Sequence, residues 1–330
     1  MGRDDQMRNR KHGWRDLGLH QALSRSIAAT RLAGLRVIAA AAAAVACHAP
    51  TTSTAPATGI RQQIEARVAR VPNALVGVAY IDLARGDTIF INADSIMHAA
   101  STMKVPVMLR LYREADEHAL SLDRKILLVN RFTSIVDGSR YSLDSTVDGD
   151  TTMYHYVGDS VSVRDLIRHM ITRSSNLATN TLIAVANADS VNAMMRSLGA
   201  SRMRVLRGVE DEKAFEAKLN NTATARDLST LLRALETGHA ASPRATVEMR
   251  DVLMAQEFNE KIPAGLPPGV RVAHKTGDIT AIAHDAAIVY PAGRPPYILV
   301  VLTRGIEREP VADSLIADIS RDIYAYAMRR

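Results

Sequence analysis

The segment Val163–Asn180 reads VRDLIRHMITRSSNLATN and predicts two helices separated by a short polar turn. Apolar side chains recur at helical spacing over Val163–Thr172 and again over Leu177–Val185. The turn is Ser174-Ser175-Asn176, and small polar residues of this kind favour the start of a helix. The second helix therefore begins with side chains that can also bind or activate a ligand.

Helical patterns extend from this segment in both directions, and strand patterns flank the helical block on either side. The predicted helices are Arg61–Arg70, Thr102 to about Leu120, Val191–Leu198, Ala225–Leu235, Pro243–Met254 and Val311–Met328, and the predicted strands are Ala74–Ile81, Thr88–Asn92, Val270–His274, Ala286–Tyr290 and Tyr297–Thr303. This order predicts an α+β fold, in which an antiparallel sheet is flanked by the terminal helices and faces an all-helical lobe. We expect the sheet lobe over about 59–100 and 268–330, the helical lobe over about 101–267, and an active site in the cleft between them.

The positive charge of the chain is concentrated near its start. The 330 residues carry a net charge of +6, but residues 1–47 hold eight Lys/Arg against three Asp/Glu, which leaves the remainder near neutrality. A nucleic-acid-binding surface is therefore not expected. The ten histidines and the single cysteine show no metal-ligand spacing, so neither a metal nor another cofactor is predicted.

Residues 1–47 have the order of an export signal, because a basic stretch precedes the apolar run VIAAAAAAVAC at Val37–Cys47. The run is too short to span a bilayer, so we expect it to be cleaved. Ala44-Val45-Ala46-Cys47 resembles a bacterial lipobox, which would attach the mature chain to a membrane through a lipid on Cys47; the alternative is ordinary cleavage near Ala46 or Ala49. We expect a flexible tether over 48–58 and a folded domain over 59–330, located in the periplasm or on the outer surface.

Ser101-Thr102-Met103-Lys104 stands where another helix is predicted to begin. Residues three apart share a helix face, so Lys104 can reach the hydroxyl of Ser101. A serine is a poor nucleophile until a base removes its proton, and a desolvated lysine near other cations is neutral enough to do so. The N–H of Ser101, together with one from a late strand, can form an oxyanion hole.

Lys275-Thr276-Gly277 follows on a strand near the C-terminus. Lys275 and Thr276 offer a positive charge and a hydroxyl to a substrate carboxylate, and Gly277 lets the strand backbone approach a ligand closely. In the earlier turn, Ser174 can relay a proton to a leaving nitrogen and Asn176 can orient a substrate amide. Each motif alone is equally well explained as a helix cap, a solvated lysine or a strand end, but their ordered combination favours catalysis.

From about residue 60 to the C-terminus, the chain resembles the penicillin-recognising serine hydrolases, and among them the class A β-lactamases. The resemblance rests on the three motifs and on the stretches Val163–Asn180 and Val191–Ala200. It implies a β-lactamase/DD-peptidase-like fold and attack of Ser101 on a β-lactam carbonyl, followed by hydrolysis of the acyl-enzyme. It also implies a small-molecule β-lactam as the partner, no cofactor and a monomeric protein.

The resemblance is incomplete at the residue that would activate water. Class A enzymes deacylate with a glutamate on a loop after the second motif, and Glu210 falls at that place. Glu210 is therefore the candidate general base, although Glu212 and Glu216 compete with it and an acidic loop can also be a solvated surface feature. Ala214 stands where the family has an asparagine that helps to hold the water.

Two further departures concern the second motif and substrate binding. Ser175 replaces the usual aspartate, and His284 lies roughly where many members have an arginine for the substrate carboxylate. We therefore expect Lys275 and Thr276 to be the main contacts of that carboxylate, assisted by His284 or by Arg271. The open alternatives are a β-lactamase, a penicillin-binding DD-peptidase or esterase-like hydrolase with slow deacylation, and a non-catalytic surface binding protein. The intact nucleophile and base favour an enzyme, and a β-lactamase is our prediction.

Overall fold

The computed structural model describes residues 55–329, so the predicted export signal and Cys47 lie outside the described residues. Helix α1 (Ala55–Val68) begins inside the predicted tether of residues 48–58. The stretch Ala55-Pro56-Ala57 explains this early start. Alanine is the strongest helix former, and proline is tolerated in the first turn, where an N–H has no helical acceptor.

The central sheet has five antiparallel strands, in the order β2-β1-β5-β4-β3. They are β1 (Leu75–Asp82), β2 (Thr88–Ile91), β3 (Arg271–Ile279), β4 (Ile282–Tyr290) and β5 (Tyr297–Arg304). Strand β5 pairs with β1 so that Val301 lies opposite Val78. The prediction that strands from both ends of the chain form one antiparallel sheet is confirmed.

Of the remaining helices, the last packs on the sheet beside α1, and the others belong to the helical lobe, where two of them, Ala225–Glu236 and Pro243–Met254, also contact the sheet. The remaining helices are α2 (Lys104–Asp116), α3 (Val163–Thr172), α4 (Asn176–Ala186), α5 (Ala188–Ser197), α6 (Glu212–Glu216), α7 (Ala225–Glu236), α8 (Pro243–Met254) and α9 (Glu309–Met328). Side chains alternate along β5, so that Leu299 and Val301 join the core beneath α1 and α9 while Val300 joins the core of the helical lobe. Each such fully buried side chain stabilises the fold by about 1.5–3 kcal/mol.

Several short elements complete the structure. Paired short strands are Met97–His98 with Thr222–Ala223, Lys125–Leu127 with Ser160–Ser162, and Phe132–Thr133 with Arg140–Tyr141; single 3₁₀ turns are Ala100–Met103, Thr151–Tyr156 and Pro263–Gly265. Within residues 55–329, no helix is both long and apolar enough to cross a membrane.

Three predicted elements differ from the structure in ways that affect the site. The helix expected from Thr102 to about Leu120 starts as the 3₁₀ turn Ala100–Met103 and ends at Asp116, because His118 adopts a left-handed φ of 58°. Strands β3 and β4 are longer than predicted, since they continue through the polar residues Lys275 and Asp285. These polar residues are fully buried, and they conceal the strand pattern in the sequence.

Candidate active site

The three motifs meet at one cleft of about 690 Å³ between the sheet and the helical lobe. Ser101, Ser174, Asn176, Glu210 and Thr276 line it. The first motif precedes α2, the second precedes α4 and the third lies on β3, so three separate elements supply the lining. The structure therefore brings these residues together between the two lobes, where the sequence predicts the site.

Ser101 is half-buried in the 3₁₀ turn and follows Ala100, which has a left-handed φ of 44°. Gly277 on β3 lies directly against this turn. A Cβ atom at Gly277 would stand 3.0 Å from the backbone nitrogens of both Ser101 and Thr102. The glycine therefore allows the strand to approach the backbone of the candidate nucleophile, whereas the sequence suggested an approach to the ligand.

Lys104 is fully buried, and its ammonium contacts the second motif. Its Nζ donates to Ser174 O at 2.7 Å, to Ser174 Oγ at 3.1 Å and to Asn176 Oδ1 at 3.1 Å. Burial and the nearby charge of Lys275 lower the pKa of Lys104 well below its ordinary value. A lowered pKa makes the neutral form of the lysine more accessible, as a general base requires.

Lys275 is also fully buried and reaches the same hydroxyl from the opposite side. Its Nζ donates to Ser174 Oγ at 3.0 Å and to Thr276 O at 2.9 Å. Burial lowers the pKa of Lys275 to about 7. Two lysines thus share one hydroxyl oxygen, and the pKa of each lysine lies below its ordinary value.

This shared contact gives Ser174 the means to move a proton. A charged ammonium has three N–H donors and no acceptor, whereas a neutral amine has a lone pair. The Ser174 hydroxyl can therefore accept from Lys104 in its charged form and donate to it in its neutral form. The arrangement can carry a proton between Lys104 and an atom held in the cleft.

Glu210 is half-buried on the loop before α6 and faces the second motif. Its Oε1 accepts a hydrogen bond from Asn176 Nδ2 at 2.9 Å, and its Oε2 accepts one from the backbone N–H of Asp144 at 3.0 Å. Asn176 therefore bridges the Lys104 ammonium and the Glu210 carboxylate. Glu212 is an exposed residue of the cleft lining, and Glu216 is exposed at the end of α6.

The loop that carries Glu210 is held by two buried charged residues. Arg207 donates to Gly208 O on the same loop at 2.9 Å and to Leu219 O, which follows α6, at 3.0 Å. Asp211 caps α6 by accepting from Ala214 N at 3.1 Å and also accepts from Ser134 Oγ at 2.8 Å. Glu210 itself has a left-handed φ of 59°, so its placement depends on these contacts.

His284 lies away from the cleft surface, contrary to the prediction that it helps to bind a substrate carboxylate. It is fully buried, with Nδ1 2.8 Å from Ala283 O and Nε2 2.8 Å from His98 O. Burial lowers the pKa of His284 to about 4, so the ring is neutral near neutral pH. The ring links β4 to the strand before Ser101 and has no positive charge to offer a ligand.

Sequence reasoning missed two charged residues at the site. Lys261 lines the cleft, and its ammonium lies 3.1 Å from a carboxylate oxygen of Asp278 and of Asp313. Burial opposes the charge of Lys261, but the two carboxylates raise its pKa above the ordinary value. Asp148 contacts the backbone at the start of α4. The sequence offered one indication of Asp148, because Ser175 stands where the family has an aspartate. It offered no indication of Lys261.

The part of the chain between residues 55 and 329 contains no group of three or more His, Cys, Asp or Glu side chains arranged to hold a metal ion.

Comparisons with known proteins agree with this geometry. The model of the Beta-lactamase enzyme family matches residues 59–327. A β-lactamase from Streptomyces albus G is 26% identical over 306 residues, which cover 90% of this chain and 95% of that protein. Among solved structures, PBP-A matches with a TM-score of 0.71 at 26% identity, covering 83% of this chain and 97% of that chain. An ancestral class A β-lactamase matches with a TM-score of 0.70 at 27% identity, covering 81% and 99%.

The matched range includes most of the chain and contains all three motifs. The structural matches show the same fold over nearly the full length of the compared proteins. This chain belongs to the β-lactamase enzyme family.

Proposed function

We propose that this protein is a serine β-lactamase, which hydrolyses the amide of a β-lactam through an acyl-enzyme on Ser101. The observation that carries the proposal is the pair of buried lysines that share the Ser174 hydroxyl in the cleft with Ser101. Burying a charged group costs several kcal/mol, and a binding protein gains nothing from two such groups beside a nucleophile. The β-lactamases among the similar proteins support the same activity.

In the proposed acylation step, neutral Lys104 accepts the proton of Ser101 while the serine oxygen attacks the lactam carbonyl carbon. The lactam C–N bond then breaks, and Ser174 passes a proton to the leaving nitrogen. The N–H of Ser101, held against Gly277, stabilises the negative charge that develops on the carbonyl oxygen. The product of this step is an ester between Ser101 and the opened lactam.

In the proposed deacylation step, Glu210 removes a proton from a water molecule as the water oxygen attacks the carbonyl carbon of this ester. The bond between that carbon and the Ser101 oxygen then breaks, and the proton taken by Glu210 is returned to the serine oxygen. The support for this step is the position of the Glu210 carboxylate in the cleft, where Asn176 links it to Lys104. Lys275 and Thr276 supply the contacts for the substrate carboxylate, as the strand places Thr276 on the cleft lining and Lys275 behind it. The buried position of His284 leaves it out of this set.

A second function, a penicillin-binding peptidase or esterase-like hydrolase with slow deacylation, is favoured by one observation. Both oxygens of Glu210 already accept hydrogen bonds within the protein, and the fully buried Ala214 offers no amide to hold a water molecule. A carboxylate occupied in this way activates water less readily. The similarity to PBP-A is compatible with this alternative.

The test is the time course of nitrocefin hydrolysis at comparable enzyme and substrate concentrations, with Ser101→Ala as the control. Sustained turnover that is absent in the variant supports a β-lactamase. A burst of one equivalent that stalls supports the slow hydrolase, because acylation is then intact and deacylation is not. The absence of any burst contradicts both functions.

We also propose that the protein acts outside the cytoplasm as a monomer and is attached to a membrane through a lipid on Cys47. The support is the order of basic, apolar and small residues before Cys47. Cells that express the full chain and are fed labelled palmitate should label the protein, and Cys47→Ser should abolish the label. An exported but unlabelled protein would indicate ordinary cleavage, and sedimentation of the purified protein tests the monomer.

A further inference from the structure

The segment Asp148-Gly149-Asp150 contacts the turn that carries the second motif. The carboxylate of Asp148 is 6% exposed and accepts the backbone N–H groups of Asn176 and Leu177, at 2.9 Å and 3.0 Å. It also accepts the hydroxyl of Tyr154 at 3.0 Å. These donors are neutral N–H and O–H groups, so hydrogen bonds at the start of α4 stabilise the negative charge of the Asp148 carboxylate.

The next two residues hold the same turn from its other side. A Cβ atom at Gly149 would stand 2.7 Å from Arg173 O and 3.6 Å from Ser174 Cβ, so only glycine allows this approach. Asp150 is fully buried and lies 3.1 Å from the guanidinium of Arg173. Three consecutive residues therefore contact the chain immediately before, at and after Ser174.

The turn needs this support because Ser174 has a left-handed φ of 57°. For a residue with a side chain, this conformation costs about 1–2 kcal/mol and persists only when the surrounding structure enforces it. Ser174 is also the hydroxyl that both lysines share. A small shift of this turn would therefore misplace the Ser174 hydroxyl, which is the proposed proton donor to the leaving nitrogen and a hydrogen-bond acceptor of Lys104.

We propose that Asp148-Gly149-Asp150 is a positioning clamp, which fixes Ser174 and Asn176 for proton transfer, and that the Asp148 carboxylate balances the charge on Lys104 during acylation. The proposal rests on the proposed function, because acylation is the step that the clamp serves. Asp148 acts through Ser174, Asn176 and Lys104, so it is a positioning residue.

The electrostatic part of the proposal follows from the groups that face Lys104. Lys275 shares the Ser174 hydroxyl with Lys104, and Asn176 links the Lys104 ammonium to both carboxylates, because its side chain contacts Lys104 and Glu210 and its backbone N–H donates to Asp148 at 2.9 Å. Burial and Lys275 lower the pKa of Lys104, whereas Asp148 and Glu210 raise it. Removal of the Asp148 charge should therefore lower that pKa further and move the acidic limb of the acylation profile to lower pH.

The test compares variants that separate charge from position. Asp148→Asn removes the charge and alters the contacts, Gly149→Ala disturbs the contacts alone, and Asp148→Glu restores the charge. Asp159→Asn, at an exposed residue of the same loop region, is the matched control. The readouts are the thermal unfolding temperature, the acylation rate with nitrocefin over a range of pH, and the pKa of Lys104 from the ¹³Cε resonance of labelled lysine.

We expect Asp148→Asn to acylate about 10- to 100-fold more slowly, as a misplaced reacting group does, and to lower the pKa of Lys104 by about one unit. Gly149→Ala should slow acylation to a similar extent and leave that pKa unchanged. Asp148→Glu should keep the pKa close to that of the wild type, and Asp159→Asn should change neither quantity. If Asp148→Asn does not fold, Gly149→Ala and Asp148→Glu carry the test.

A folded Asp148→Asn variant whose acylation rate stays within about twofold of the wild type, and whose Lys104 pKa does not fall, would overturn the clamp. A lower unfolding temperature alone would also overturn it, since a purely structural contact predicts that result. If the wild type does not react with nitrocefin but the pKa falls only in Asp148→Asn, the proposed function fails and the electrostatic part of the clamp is supported.

Discussion

The residues proposed for acylation and the residue proposed for deacylation are held in different ways. Lys104 and Lys275 are fully buried on α2 and β3, and both contact Ser174 at the start of α4. Glu210 is half-buried on a loop, in a left-handed backbone conformation. Regular backbone hydrogen bonding fixes the first set, whereas side-chain contacts fix the second.

This difference teaches that the two halves of the reaction can change independently. A substitution on the loop alters the contacts of Arg207 or Asp211 and leaves the lysines in place. A substitution of a buried lysine leaves an unpaired polar group in the cleft and disturbs the shared hydroxyl. We therefore expect deacylation to be the more readily altered step, and the following experiments test that expectation.

The largest effect should come from Lys104→Met, which keeps the length of the side chain and removes the base. Acylation should slow by about 10³-fold, within the range for loss of a general base. Single-turnover measurements with nitrocefin report this step directly. A loss of less than tenfold would show that another group accepts the proton of Ser101.

A smaller effect should come from the titration of Lys275. Its pKa of about 7 means that the ammonium loses its charge as the pH rises above 7. The kcat/KM for an anionic β-lactam should therefore fall by about tenfold between pH 7 and 9, because this parameter reports the free enzyme. Lys275→Arg keeps the positive charge at high pH, so the fall in kcat/KM should move to higher pH. If the fall stays at the same pH, another group is responsible for it.

The smallest effect should come from Arg207→Lys, which keeps the charge but loses two contacts to backbone carbonyl groups. Deacylation should slow by roughly three- to tenfold, corresponding to about 1 kcal/mol for a lost hydrogen bond. The acylation rate should stay unchanged, as measured by stopped-flow mixing. Equal slowing of both steps would contradict the independence of the two halves.

Local sequence patterns placed the three motifs on the correct elements, because each motif stands at the end of, or within, a regular element. Helix α3 was predicted with the bounds that the structure shows, and α4 begins at Asn176, one residue before the predicted start. Local patterns fix such elements, and the three motifs are carried along with them. The extents of β3 and β4 were less predictable, because buried polar side chains interrupt their apolar pattern.

The features that the sequence could not supply depend on contacts between distant segments. Asp148 meets Asn176 across 28 positions, and His284 meets His98 across 186. The left-handed conformations of Ser174 and Glu210 are enforced by such contacts and leave no local signal at non-glycine residues. Placement of His284 in the cleft followed from the arginine that many family members have at that place, but β4 directs the His284 side chain into the core.

The measurement that tests the central claim most directly is the intact mass of the enzyme during reaction with benzylpenicillin, for the wild type and Glu210→Gln. The account predicts that the wild type remains largely free and turns over, while the variant accumulates one covalent equivalent because deacylation slows by about 10²- to 10³-fold. The acylation rate of the variant should fall far less than its deacylation rate, because Glu210 contacts Lys104 only indirectly, through Asn176. A wild type that itself accumulates a full equivalent, or a variant that turns over as the wild type does, would contradict Glu210 as the base of an efficient β-lactamase.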